Sequence, residues 1–326
     1  MRRRRALRRL AAVRIRLVVG LVALALPAYG AAAATTEEVE IGGLAATYVA
    51  PDAARPAAGA IIIAGSGPTD RNGNSRLGLN TDAYKLLADA LAERGVASVR
   101  YDKRGVGGSA RLAHAEQDTT ISDFAADATG VVQWLRTQRQ VTSVFLIGHS
   151  EGGLIALLIA ERVKPAGVVL LAVPGRRLGA LLREQFTRPG VRGVNAAEAL
   201  SIIAALERGE TVPEVSQGLL AAFRPSVQPY LRSLIAIDPA EQVRHLSARL
   251  MIVGGGRDVQ VGRTDFDALV ATRSDAVAYW DPDMAHTLKP ARADATSMQR
   301  AYTDPTLALA AGLADRVADF IRSAGR

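Results

Sequence analysis

Short apolar runs alternate with longer stretches of helical periodicity along most of this chain. Residues 37–50, EEVEIGGLAATYVA, partly alternate and enclose Gly-Gly, which predicts an N-terminal β-hairpin. GAIIIAG (59–65), VASVRYD (96–102), SVFLIG (143–148), AGVVLLAV (166–173), ARLMIVGG (248–255) and DAVAYWD (275–281) are compact apolar runs that predict strands. Between them, DAYKLLADALAERG (82–95), ISDFAADATGVVQWLRTQRQ (121–140) and EGGLIALLIAERVK (151–164) predict helices, and a closing helix is expected from Thr306 to Arg322. Strands buried on both faces read as nearly continuous apolar runs. The alternation therefore predicts an α/β fold with a mostly parallel sheet covered by helices on both sides.

Residues 176–243 break the pattern. They hold no convincing strand, and GALLREQF, NAAEALSIIAALERG and SQGLLAAF read as helices separated by prolines and glycines. This stretch is expected to be a helical cap inserted in a core made of residues 35–175 and 244–326. There is no internal repeat and, after the first residues, no long low-complexity segment.

Composition changes the picture in three places. With 326 residues and 49% apolar content, the chain supports a sizeable core. The absence of cysteine excludes disulfides, thiolate metal sites and a cysteine nucleophile. The net charge of +8 is accounted for by eight arginines within the first 16 residues, with no acidic residue before Glu37. The remainder is near neutral, which argues against nucleic acid as a partner. Behind those arginines, LVVGLVALAL and then PAYGAAAA complete the basic, apolar, small-residue order of a secretory signal peptide over residues 1–34, with cleavage expected near Ala33 or Ala34. Export to the periplasm or medium follows as an expectation. A membrane tether through uncleaved residues 17–34 is the alternative.

The chemistry centres on Gly148-His149-Ser150-Glu151-Gly152. It fits G-x-S-x-G directly after a predicted strand and directly before a predicted helix, the setting of a nucleophile elbow. A glycine-rich turn with a spectator serine is the bland alternative. A serine hydroxyl needs a base, and the base needs an orienting acid. Of the four histidines, His149 adjoins the serine and is expected to pack at the elbow. His114 lies in a polar loop and His245 near the end of the cap, and both are expected to be structural or surface residues. His286 follows the last predicted strand, in PDMAHTLK, where a base is expected to emerge. Asp258, just beyond ARLMIVGG, completes the order Ser, Asp, His. Asp281 and Asp283 are expected to shape the His286 loop, and Asp102 to pair with a nearby arginine. For the oxyanion, one donor is expected from the Glu151 amide and the other from GSGPTDRNGN. Gly67 is the preferred residue there and Ser66 the second, since Pro68 has no N–H. A phosphate cradle fails in that loop, because no Lys-Ser/Thr follows and Asp70 occupies the third glycine position of G-x-G-x-x-G.

Taken together, GSGPTDRNGN, RYDKRGVGGS, GHSEGG, GGGRDVQV and MAHTLK, in this order over about residues 60–290, resemble the α/β-hydrolase superfamily. More narrowly, they are similar to bacterial serine hydrolases and esterases of the serine-aminopeptidase-like kind. The resemblance implies a mostly parallel eight-stranded sheet with a helical cap after the sixth strand. It also implies Ser150 as nucleophile, Asp258 as acid, His286 as base, and Gly67 with Glu151 as oxyanion donors. The expected reaction is hydrolysis of an acyl bond, a carboxylic ester first, in a small-molecule substrate and without metal or organic cofactor. Peptide cleavage and acyl transfer share this constellation, while a non-catalytic binding module has no positive support. An aminopeptidase would need a carboxylate for the free amine, for which Glu184, Glu207 and Glu214 are cap candidates. Leu181, Leu182, Phe186, Leu219, Leu220, Phe223 and Tyr230 are candidate pocket residues, equally suited to ordinary helix packing.

Overall fold

The computed structural model describes residues 34–51, 57–188 and 195–323. The expected signal peptide therefore lies outside the described residues, except for Ala34. The chain opens with β1 (Thr35–Ile41) and β2 (Leu44–Ala50), joined by Gly42 and Gly43. Both glycines have positive φ, 58° and 90°, as a two-residue type I′ hairpin turn requires. Then come β3 (Ala57–Ile63), α1 (Ala83–Glu93), β4 (Val96–Tyr101), α2 (Ile121–Arg136), β5 (Val141–His149), α3 (Glu151–Val163) and β6 (Gly167–Leu171).

Between β6 and the next strand lie α4 (Leu178–Thr187), α5 (Ala196–Glu207), α6 (Leu220–Phe223), α7 (Gln228–Ile235) and α8 (Pro239–His245). The chain returns through β7 (Arg249–Gly255), α9 (Arg263–Thr272), β8 (Val277–Asp281), α10 (Ala295–Thr303) and α11 (Leu313–Arg322). The eight strands form one sheet in the order β1-β2-β4-β3-β5-β6-β7-β8. The pairings β1–β2 and β2–β4 are antiparallel and the rest are parallel.

Side chains alternate across this sheet and split the core in two. Ile61, Ile63 and Leu146 join α2 and α3 on one face, while Ala60, Ile62, Phe145 and Ile147 join α1 and α11 on the other. The α4–α7 region has its own smaller core, in which Ile202, Ile203 and Leu206 of α5 meet Leu219, Phe223 and Ile235. No helix among the described residues is long and apolar enough to cross a membrane.

Three local differences from the sequence pattern have physical reasons. The closing helix starts at Leu313, not Thr306. Asp304 folds back on Thr306, its Oδ1 accepting that residue's N–H at 3.0 Å, and Gly312 enters α11 with φ 74°. Helices α7 and α8 lack a long apolar period but carry start signals: proline in the first turn of each, and Asp238 accepting the Glu241 N–H at 3.2 Å. Helix α10 is likewise opened by Asp294, which accepts the Ser297 N–H at 2.8 Å.

Candidate active site

β5 ends at His149 and α3 begins at Glu151, so Ser150 alone makes the turn. It does so at φ 52°, ψ −122°, a conformation that costs a non-glycine residue of order 1–3 kcal/mol. The flanking glycines are sterically required. A Cβ on Gly148 would fall 2.4 Å from the Gly152 carbonyl oxygen, and one on Gly152 would fall 2.2 Å from that of Ile63. The Ser150 N–H is spent on the Leu171 carbonyl of β6 at 2.9 Å, which fixes the turn to the neighbouring strand.

Asp258 and His286 come from the loops after β7 and β8. The Asp258 side chain is fully buried, and its Oδ1 accepts the N–H groups of Gln260 and Val261 at 2.7 and 2.8 Å. Its Oδ2 accepts Nδ1–H of His286 at 2.7 Å, which leaves Nε2 of that ring as the unprotonated nitrogen. The loop carrying His286 is anchored by Met284, Ala285 and Leu288, all wholly buried. It is also anchored by the buried Lys289, whose ammonium donates to the carbonyls of Asp304, Pro305 and Leu307. Burial lowers the pKa of that lysine.

His149 joins these loops. Its Nε2 lies 2.7 Å from the His286 carbonyl oxygen, which can only accept, so Nε2 carries the proton. Nδ1 is then an acceptor and takes the Tyr84 hydroxyl at 2.7 Å, while the Tyr84 oxygen accepts the Gly65 N–H at 3.1 Å. The ring is held neutral, its pKa pushed down to about 3 by burial first and by the His286 imidazole second. The expected packing role is thus a directional hydrogen-bond chain. Tyr84 was invisible as a site residue because it lies inside an ordinary amphipathic helix.

The structure brings Asp258 and His286 into contact and packs His286 against the residue that precedes Ser150, with the His149 and His286 ring centroids 4.8 Å apart and the rings tilted by 50°. The Ser150 hydroxyl makes no hydrogen bond among the described residues. Catalytic hydrogen bonds are often long in unliganded enzymes and tighten in the substrate complex. The Gly67 and Glu151 amides donate to no other group among the described residues, and Gly67 takes φ 73°.

Ser150, Glu151, Ser66 and Gly67 line a cavity of about 660 Å³ between the sheet rim and the cap. Leu154, Leu181, Leu182 and Tyr230 supply apolar wall. Phe186, Leu219 and Phe223 instead pack within the cap's own core, and Leu220 is exposed. Helix packing takes these residues because the cap must bury a face of each short helix. The two carboxylates on the wall among the described residues are both paired with cations. Glu151 meets Lys103 at 3.3 Å, and Glu116 bonds Arg224 and Ser226 of the cap. The hydrogen bond from Arg224 holds the Glu116 carboxyl below its usual range. In the cap, Glu184 pairs with Arg176 and Glu207 with Arg183.

Of the remaining residues singled out in the sequence, His114 lines the cavity, while Asp102, Asp281 and His245 do not. Asp102 accepts the Arg71 N–H and guanidinium at 2.8 and 3.1 Å and the Gly108 N–H at 2.8 Å. Asp281 accepts the Asp283 N–H at 2.9 Å within the turn before His286. His114 is exposed beside Arg104, and His245 is exposed at the end of α8. No group of three or more His, Asp or Glu suited to a metal occurs among the described residues.

The chain is similar to several known proteins. Residues 74–182 match the family described as serine aminopeptidase, S33. Over 234 residues the chain is 30% identical to esterase EstD of Thermotoga maritima, covering 70% of this chain and 53% of that protein. The chain thus spans about half the length of this curated relative. Among solved structures it is similar to Est1E of Butyrivibrio proteoclasticus with ferulic acid bound, at TM-score 0.55 and 18% identity over 88% of this chain and 96% of that one. It is also similar to the esterase domain of a Rhodothermus marinus protein, at TM-score 0.53 and 20% identity over 90% and 99%. At such identities these two likenesses speak to the fold.

Proposed function

Since the chain belongs to the α/β-hydrolase superfamily, we propose that it hydrolyses carboxylic esters through an acyl-enzyme formed on Ser150. The observation that carries this reading is the 2.7 Å contact of His286 Nδ1 with a buried, doubly hydrogen-bonded Asp258, on the loop tied to the elbow. Nε2 of His286 takes the hydroxyl proton as Ser150 Oγ bonds to the acyl carbon. The Gly67 and Glu151 amides receive the negative charge that gathers on the former carbonyl oxygen. The bond to the alcohol then breaks, and His286 passes the proton to the departing oxygen. Water repeats the sequence on the acyl-enzyme and releases the acid with Ser150 restored.

An ester is preferred over an aminoacyl amide because, among the described residues, both carboxylates that line the cavity are already paired. Glu151 is held by Lys103 and Glu116 by Arg224, so no free anion awaits a substrate ammonium. At about 660 Å³ the cavity lies within the roughly 300–1,000 Å³ usual for small-molecule sites, and its Leu154, Leu181 and Leu182 wall suits an apolar acyl group. Peptide cleavage and acyl transfer to an alcohol use the same groups and are the second reading; the description of the matched family, serine aminopeptidase, speaks for the first of these.

A panel of short and long acyl esters against aminoacyl amides separates these readings. Ester turnover with a fluorophosphonate adduct on Ser150 is expected. Amide turnover without ester turnover, or an unlabelled folded protein, overturns the proposal. The same reading takes residues 1–34 as an export signal, on their basic, apolar, small-residue order. N-terminal sequencing of exported protein checks it, with a mature terminus near residue 34 or 35 expected.

A further inference from the structure

The two amides assigned to the oxyanion come from separate segments, the loop after β3 and the elbow after β5. Their spacing must be set by something that touches both. Lys103, from the YDKRG segment after β4, does. Its side chain is 3% exposed, and its ammonium lies 2.5 Å from the Gly65 carbonyl oxygen and 3.3 Å from Glu151 Oε1. The Phe124 ring sits 5.3 Å from the same ammonium. Gly65 begins the segment that carries Gly67, and Glu151 is the other donor.

We propose that Lys103 is the positioning residue of the oxyanion hole, clamping the Gly65–Gly67 segment against the elbow. This inference rests on the reading of Ser150, Gly67 and Glu151 given above. Geometry supplies one part of the argument and charge the other. Glu151 carries a buried carboxylate on the very residue whose amide would hold a developing anion. Unpaired, that charge would oppose the transition state, and Lys103 cancels it. A buried ion pair contributes little to stability when set against a well-packed apolar substitute, so the role of this pair lies in its placement. Gly65 is held from both sides, its carbonyl by Lys103 and its N–H by Tyr84.

The test compares wild type, Lys103→Met and Lys103→Gln on one activated ester, with the affinity for a trifluoromethyl ketone measured alongside. Misplacement by about 1 Å costs on the order of 100-fold, so Lys103→Met should lower kcat by about that factor with KM little changed. Trifluoromethyl ketone affinity should fall in parallel with kcat, whereas affinity for the carboxylic acid product should not. Lys103→Gln keeps a donor for Gly65 and should recover part of the loss. A folded Lys103→Met with wild-type kcat overturns the inference, as does a kcat loss without loss of ketone affinity. Should Lys103→Met not fold, Lys103→Gln is read directly against wild type, and equal kcat and ketone affinity overturn the inference. A wild type that neither turns over esters nor reacts with fluorophosphonate removes the underlying reading as well, whereas an active wild type isolates the role of Lys103.

Discussion

The rim of the sheet and the cap above it are held by different physics. At the rim, buried polar groups are each fixed by at least two partners: Asp258 by two amides of its own loop and by His286, His149 by Tyr84 and the His286 carbonyl, Lys103 by Gly65 and Glu151. The cap rests on a small apolar core of its own and on ion pairs that are largely exposed, such as Arg183–Glu207, Arg177–Asp238 and Arg224–Glu116. It is anchored below at its neck, where buried Asp265 accepts the Gly175 and Arg176 amides and the Arg176 guanidinium, and through Leu234, Ile237 and Val243, which join the core on the α2–α3 face of the sheet. Buried hydrogen bonds to charged groups are costly to break, whereas exposed ion pairs contribute about 0–1 kcal/mol. On the proposed reading, the tightly bonded rim supplies reactivity and the more loosely held outer cap the choice of substrate.

Substitutions that respect this division have graded effects. Ser150→Ala and His286→Ala should each lower kcat by about 10⁶-fold and Asp258→Ala by about 10⁴-fold, as measured on an activated ester, because such groups act as a unit. A near-normal rate for His286→Ala would break the assignment of the base. His149→Leu orphans the Tyr84 hydroxyl and the His286 carbonyl, each at about 1–3 kcal/mol, so denaturant unfolding should show a loss of several kcal/mol. His149→Gln, which keeps a donor and an acceptor, should recover part of it. The neutral His149 also makes a pH prediction. Between its unfolded value of 6.5 and its folded value of about 3, the unfolded chain binds a proton that the native state refuses. Stability should thus fall on acidification through this window, by up to about 1.4 kcal/mol per pH unit from this group, and His149→Gln should remove that slope.

Cap substitutions should act more gently and on selectivity. Leu181→Ala enlarges the wall and should shift the kcat/KM ratio of long over short acyl esters by roughly tenfold, the scale of a methylene or two in an apolar pocket. Glu116→Gln cuts the exposed tie to Arg224 and should change unfolding free energy by less than about 1 kcal/mol. Because Arg224 depresses the Glu116 carboxyl, its contribution exists above the usual glutamate pKa. The difference from wild type should vanish as pH drops through the depressed value. A Glu116→Gln effect as large as that of His149→Leu would erase the distinction between rim and cap.

Sequence patterns expose one of these regions far better than the other. The strands of the sheet were legible because burial on both faces forces runs such as GAIIIAG and SVFLIG. Ser150, Asp258 and His286 were legible as candidates because each follows such a run. The α7 and α8 helices were hidden by short length and mixed polarity, although Asp238-Pro239 with Glu241 marked one start. Pocket and packing residues of the cap could not be separated, since Leu182 and Phe186 lie on neighbouring turns of the same helix and only the folded cap decides which one faces the cavity. Lys103 and Tyr84 were hidden for another reason. Each meets the Gly65 backbone and one side chain next to Ser150, and no residue pattern reports where such distant groups will lie.

The carbonyl cradle around Lys289 binds residues 304–307 to the loop of His286, and α11 follows directly behind them. A proteolytic nick in that stretch would release one side of the cradle and slacken the imidazole, though the cut touches no substrate. Esterase assays on clipped protein would then register damage at the tail as failing turnover.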